Sequence, residues 1–153
     1  MKTLARERDR AEILGRLKTL RSDSVRRWGR MSAHQMVCHL ADAFRMALGS
    51  KAVSPAHGPL QRTLVKWLAL YAPLPWPGGR IPTSPEIDQE GEGTRPGDFA
   101  SDIAQVEALL GLITAPARNL ERRPHPIFGP MSDAAWLRWA YLHADHHLRQ
   151  FGA

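Results

Sequence analysis

Between Pro73 and Gly97 the chain reads PLPWPGGRIPTSPEIDQEGEGTRPG, a stretch that holds six of its twelve prolines and five of its twelve glycines. Proline fixes φ and removes a backbone donor, and glycine raises the entropic cost of order, so no regular helix or strand can run through it. An irregular connection of this length inside a compact domain is uncommon, and where one occurs it is as a rule a lid, a binding loop or a disordered segment. Whatever the fold, its regular elements must lie on either side of this block.

Those flanks read as helices. Residues 5 to 21 have helical periodicity with Ile13, Leu14 and Leu17 on one side, and the SDS at 22 to 24 interrupts it. Next comes MSAHQMVCHLADAFRMALG, where Ser32 can cap, Gln35 completes a capping box and Gly49 closes the stretch, predicting a helix from about Ala33 to Leu48. Its apolar face centres on Met36, Leu40, Ala43 and Ala47, with His39 at the margin. Residues 60 to 71, LQRTLVKWLALY, predict a short, well-buried third helix because they carry few charges. After the irregular block, Asp98 or Ser101 starts a helix with Ile103, Val106, Leu109, Leu110 and Ile113 at helical spacing, ended by Pro116. Ser132 caps the last, Asp133 to about Gln150, with Asp133 favourably placed in its first turn. No segment alternates apolar and polar residues between hairpin turns. The reading is all-α: four main helices and a short extra one in a bundle, forming a single domain over residues 1–153.

Size agrees, because 153 residues that are 43% hydrophobic can bury one good core but hardly two. The lone Cys38 excludes an intramolecular disulfide, the N-terminal MKTLARERDR lacks the apolar run of a secretory signal, and no apolar stretch reaches membrane-spanning length. A soluble cytoplasmic protein is therefore expected, with a homodimer left open. The net charge of +6 is wholly N-terminal, since residues 1–30 hold ten Lys/Arg against four Asp/Glu and the remainder holds eleven of each. Interleaved acids and leucines make that segment an amphipathic helix with a solvated face rather than a nucleic-acid arm. No zinc finger or nucleotide-binding glycine motif argues otherwise.

The chemistry sits near the end, where YLHADHHLRQF places His143, His146 and His147 within five residues. His143 and His147 are four apart, so on a helix they lie about 40° apart around the axis and roughly 6 Å along it, and both can reach one ion. Trp136 and Ala140 share their stripe, which turns the pair inward. Histidines near a helix C-terminus also interact well with its dipole and need bind nothing. A third imidazole must come from a facing helix. His39 is the best-placed candidate, since His34 is in a first turn and His57 in a loop. Three imidazoles with an open position suit a divalent ion such as zinc or nickel. His146 lies about 60° off the stripe and reads as a surface or supporting group. His125 precedes a proline and could line the mouth; Asp42 and Asp145 could orient a ligand imidazole or form surface ion pairs; Trp136 and Trp139 could wall the pocket; Cys38 reads as a small core residue.

RWGRMSAHQMVCHLADAFRMALG, followed far downstream by HPIFGPMSDAAWLRWAYLHADHHLRQFG, resembles the DinB/YfiT-like metalloenzyme superfamily, and more closely a bacterial branch of it known only as a domain of unknown function. The two segments make up about a third of the chain. The resemblance implies an up-and-down four-helix bundle in which one histidine of the second helix and an H-x-x-x-H pair of the last, here His39, His143 and His147, bind a divalent metal. It also implies metal-dependent thiol transferases or a thiol-dependent isomerase as the related activities, and so a low-molecular-weight thiol beside a small-molecule substrate.

Two chemistries suit such a site. A thiol entering the open position would be held as thiolate for transfer to an electrophile. Water there would instead serve hydrolysis, which normally wants a nearby general base. The only glutamate in a core helix after residue 12 is Glu107, a gap that favours thiol chemistry. A third alternative is a non-enzymatic metal- or ligand-binding bundle, with His125 or Asp42 filling the fourth coordination place.

Overall fold

The computed structural model describes residues 1–56, 58–78, 83–121 and 123–153. Its elements, in chain order, are α1 (Glu7–Leu17), α2 (Ala33–Leu48), α3 (Lys66–Tyr71), which continues a π-helical turn over Gln61–Val65, a 3₁₀ turn (Pro85–Ile87), α4 (Phe99–Thr114) and α5 (Asp133–Gln150). Among the described residues there is no strand, and the sole β-type pairing is an isolated bridge between His125 and Gly129. No described helix is long and apolar enough to cross a membrane.

The central element is α2. Ser32 accepts from the Gln35 backbone N–H at 3.1 Å while the Gln35 side chain accepts from the Ser32 N–H at 2.8 Å, satisfying two donors that the first turn leaves orphaned. Gly49 stops the helix in the left-handed region, at φ 80°, where a side chain would be strained. From Met36 to Ala47 all its residues but Arg45 are buried, as befits a helix enclosed on nearly every side. α4 packs on one flank through Val106, Leu109, Leu110 and Ile113, and α5 on another through Trp136, Ala140, Ala144 and Leu148. Each large side chain so removed from water stabilises the fold by about 1.5–3 kcal/mol.

α1 lies against α5. Ile13 and Leu17 enter the core, Tyr141 Oη donates to Glu12 at 3.0 Å, and Arg16 pairs with Asp145 at 2.7 Å. Part of the N-terminal positive charge is thus spent inside the molecule. The helix is shorter than its periodicity predicts, because 3₁₀-type bonds from Thr19 to Arg16 and from Leu20 to Leu17 tighten the chain beyond Leu17.

The third helix departs from expectation. Leu60, Leu64, Trp67, Leu68 and Tyr71 are exposed, Leu60 by 58% and Trp67 by 57%, and only Leu70 is buried. An Arg138 Nε–H donated to the Leu70 carbonyl at 2.7 Å ties this helix to α5. Its few charges reflect a solvent face that is itself apolar, not enclosure.

The irregular block is pinned where the structure describes it. Asp42, fully buried on α2, accepts from the Thr94 backbone N–H and hydroxyl, each at 2.7 Å, and pairs with Arg45 at 2.9 Å and Lys51 at 3.1 Å. Burial pushes its carboxyl up, but the Thr94 donors and Lys51 outweigh that and hold it below the ordinary range. The consequence is positional: the turn at Pro85–Ile87 is held against the middle of α2.

Candidate metal centre

His39 comes from the middle of α2, and His143 and His147 from successive turns of α5. The ring centroids are 4.7 Å apart for His39–His147, 4.8 Å for His143–His147 and 5.1 Å for His39–His143. Nε2 of His39 is 3.1 Å from Nε2 of His143, and one nitrogen from each ring falls within 4.8 Å of the others. A tetrahedral ion with nitrogens at about 2.0–2.1 Å asks for roughly 3.3 Å between them, so the cluster is of the right size for a single ion.

Hydrogen bonds at the far side of two rings fix which nitrogen faces inward. The Ile87 carbonyl, 2.7 Å from His39 Nδ1, can only accept, so Nδ1 carries the proton and Nε2 presents a lone pair. Gln150 donates from Nε2 to the Trp28 carbonyl at 2.9 Å, which leaves its Oε1, 3.0 Å from His147 Nδ1, as the acceptor there. His147 Nε2 is therefore also unprotonated. Burial, followed by the mutual repulsion of charged imidazoles, holds His143 and His147 well below the usual histidine range. Burial lowers His39 as well, against the opposing pull of the Ile87 carbonyl. Three neutral imidazoles, two of them with oriented lone pairs, are a donor set that fits a divalent ion.

Other sequence candidates fall elsewhere. Asp42 touches none of the three rings through a hydrogen bond; it anchors the 85–94 turn, and the Ile87 carbonyl delivered by that turn orients His39 instead. Asp145 pairs with Arg16 and Arg149. His146 is buried rather than superficial, its ring 5.1 Å from that of His147 and 6.0 Å from that of Trp76. Trp76 and its loop cover the face of α5 that the helical wheel leaves to solvent. Trp139 walls the cavity next to His143, at 4.9 Å between rings, whereas Trp136 sits one layer behind, edge-on to Trp139.

His125 is buried in the cavity wall, where its Nδ1 accepts the backbone N–H groups of Ile127 at 3.1 Å and Phe128 at 3.2 Å. Burial, with the Lys66 charge adding to it, pushes its pKa down to about 3. His34 is 2.7 Å from Asp102, which also accepts from Cys38 Sγ at 3.6 Å and Gly97 N–H at 3.0 Å, a tie between α2 and α4. Burial first, then the Asp102 charge, pushes the Cys38 thiol up to about 12, so it stays protonated and inert. His57 lies outside the described residues. Gln150 and Ile87 were missed by the sequence reading. The three-residue spacing of Gln150 from His147 was a usable signal, while a backbone carbonyl gives none.

The three imidazoles open on a cavity of about 660 Å³. Its walls include Met46, Ile87, Ile127, Phe128 and Trp139, with Leu68 and Leu74 at the rim.

Among the described residues, fold and site together define an all-helical protein with a three-histidine cluster, two of its members buried and His143 half-buried, at the edge of an apolar cavity. The chain belongs to the family designated DUF1569, a protein family of unknown function, which matches residues 5–153. Among curated proteins and among solved structures, nothing matches it.

Proposed function

We propose that this protein is a divalent-metal-dependent enzyme of the DinB/YfiT-like type. In it α1, α2, α4 and α5 serve as an up-and-down four-helix bundle, His39, His143 and His147 hold zinc or nickel, and a low-molecular-weight thiol takes part in a transferase or isomerase reaction. The observation that carries the reading is the convergence of three neutral imidazoles from two helices, with His39 Nδ1–H bound to Ile87 and His147 Nδ1–H to Gln150. When bound, such an ion supplies a Lewis-acid charge that lowers the pKa of a thiol.

The protein's own residues do the rest. His39, His143 and His147 hold the site from two rigid helices, and Ile87 and Gln150 keep the rings turned to it. Trp139 and Trp76 exclude water from one side. No carboxylate stands among the described residues of the cavity wall, which removes the usual general base of a hydrolase and favours thiol chemistry.

The test is metal analysis of the purified protein after zinc or nickel reconstitution, beside His39→Ala and His147→Ala. About one ion per wild-type chain is expected, with loss of stoichiometric metal in both variants while their helical circular dichroism persists. Wild-type protein that retains no stoichiometric metal defeats the proposal.

A further inference from the structure

The cavity says more about its ligand than the histidines do. Among the described residues that line it there is no Lys, Arg, Asp or Glu. A cation brought here would give up its hydration and find no carboxylate among the described lining residues. Apolar atoms supply most of the wall: Met46, Leu68, Trp76, Ile127, Phe128 and Trp139. At about 660 Å³ the space is in the range of about 300–1,000 Å³ that holds organic molecules of moderate size.

Two further observations narrow the class. Leu68 and Leu74 line the cavity and are also 47% and 73% exposed, so the route in passes over an apolar rim that a bound molecule would partly cover. His125 contributes polarity of one kind only. Its Nδ1 already accepts two backbone N–H groups, so the proton is on Nε2, and that buried N–H has no hydrogen-bond partner. An unpaired buried donor is costly and is best satisfied by an acceptor on the ligand.

We propose that the cavity binds a molecule with an apolar body, no cationic group and an uncharged acceptor such as a carbonyl oxygen, seated against Trp76 and Trp139 behind the Leu68–Leu74 rim. The placing of its reactive end toward His39, His143 and His147 rests on the metal-centre reading; the class of ligand does not.

The experiment uses the full chain, metal-free and zinc-treated, with the uncharged dye N-phenyl-1-naphthylamine as probe and its fluorescence enhancement as readout. Displacement by n-alkanols from butanol to octanol should tighten about fourfold per added methylene. Octylammonium should compete at least tenfold more weakly than octanol, and 2-acetylnaphthalene at least as well as 2-ethylnaphthalene. Leu68→Glu, an exposed position, should weaken dye binding at least fivefold with no change in melting temperature. Leu64→Glu, exposed on the same helix but outside the cavity, should leave it unchanged.

Dye binding that is absent, indifferent to chain length or abolished by Leu64→Glu rather than Leu68→Glu overturns the proposal. So does octylammonium binding equal to that of octanol. A ketone bound more than tenfold more weakly than its hydrocarbon overturns the acceptor role of the ligand. Because the metal-free dye arms do not involve the ion, their outcome is separate from that of the metal analysis.

Discussion

The side chain of Gln150 does two jobs with one amide: it donates to the Trp28 carbonyl and accepts from His147 Nδ1. Replacing it by leucine keeps most of the volume but leaves His147 free to rotate and to exchange tautomers. Partners of this kind tune ligand imidazoles by about 10–100-fold in metal affinity. Gln150→Leu is therefore expected to weaken zinc binding by about that factor in a chelator competition while stoichiometry at saturation is kept. A wild-type affinity in that variant would show that Gln150 serves packing alone. The histidines themselves were legible: His143 and His147 from their spacing, and His39 from its inward face. The Ile87 carbonyl was not, because a main-chain oxygen 48 residues from its partner leaves no mark in residue type.

At the scale of elements, legibility followed the caps. α2 and α5 begin after Ser32 and Ser132 at the residues the sequence indicates, and α4 starts after Asp98, which accepts from the Ser101 N–H at 2.8 Å. Capping chemistry is local, so it can be read from a few residues. α1 has no side-chain cap, so its apolar periodicity runs past both of its hydrogen-bonded ends. α3 failed differently: composition shows how much apolar surface a segment carries but not what covers it, and Trp67 and Leu64 face solvent. Loss of the α2 cap gives a check on this view. Ser32→Ala should destabilise the fold by about 1 kcal/mol, a drop of roughly 2–4 °C in melting temperature, because the Gln35 N–H loses its acceptor. Metal stoichiometry should stay unchanged, since His39 lies nearly two turns further along. A variant that melts like wild type would mean the first turn is held by packing and not by its cap.

Across the whole molecule, the buried imidazoles set how stability responds to pH. Burial depresses the pKa values of His39, His125, His143, His146 and His147 in the folded state, whereas in the unfolded chain they return to about 6.5. Above that value both states are neutral and nothing is lost. Below it the unfolded chain takes up protons that the folded one refuses, so stability falls as pH falls, by up to about 1.4 kcal/mol per pH unit for each histidine that stays unprotonated. The carboxylates of Asp42, Asp102 and Asp145 are also held below their ordinary range, but their contribution is fully present above about pH 4 and declines only below it. The window from pH 6.5 to 5 therefore belongs to the histidines. Urea denaturation of chelator-treated protein at pH 7.5, 6.5 and 5.5 should show little change over the first step and a marked loss over the second. Zinc should raise stability at pH 7.5 and lose that effect within the same window, because ligation needs the neutral rings. A flat profile down to pH 5 would mean that these rings accept protons in the folded protein, and that the cluster is more hydrated than its burial implies.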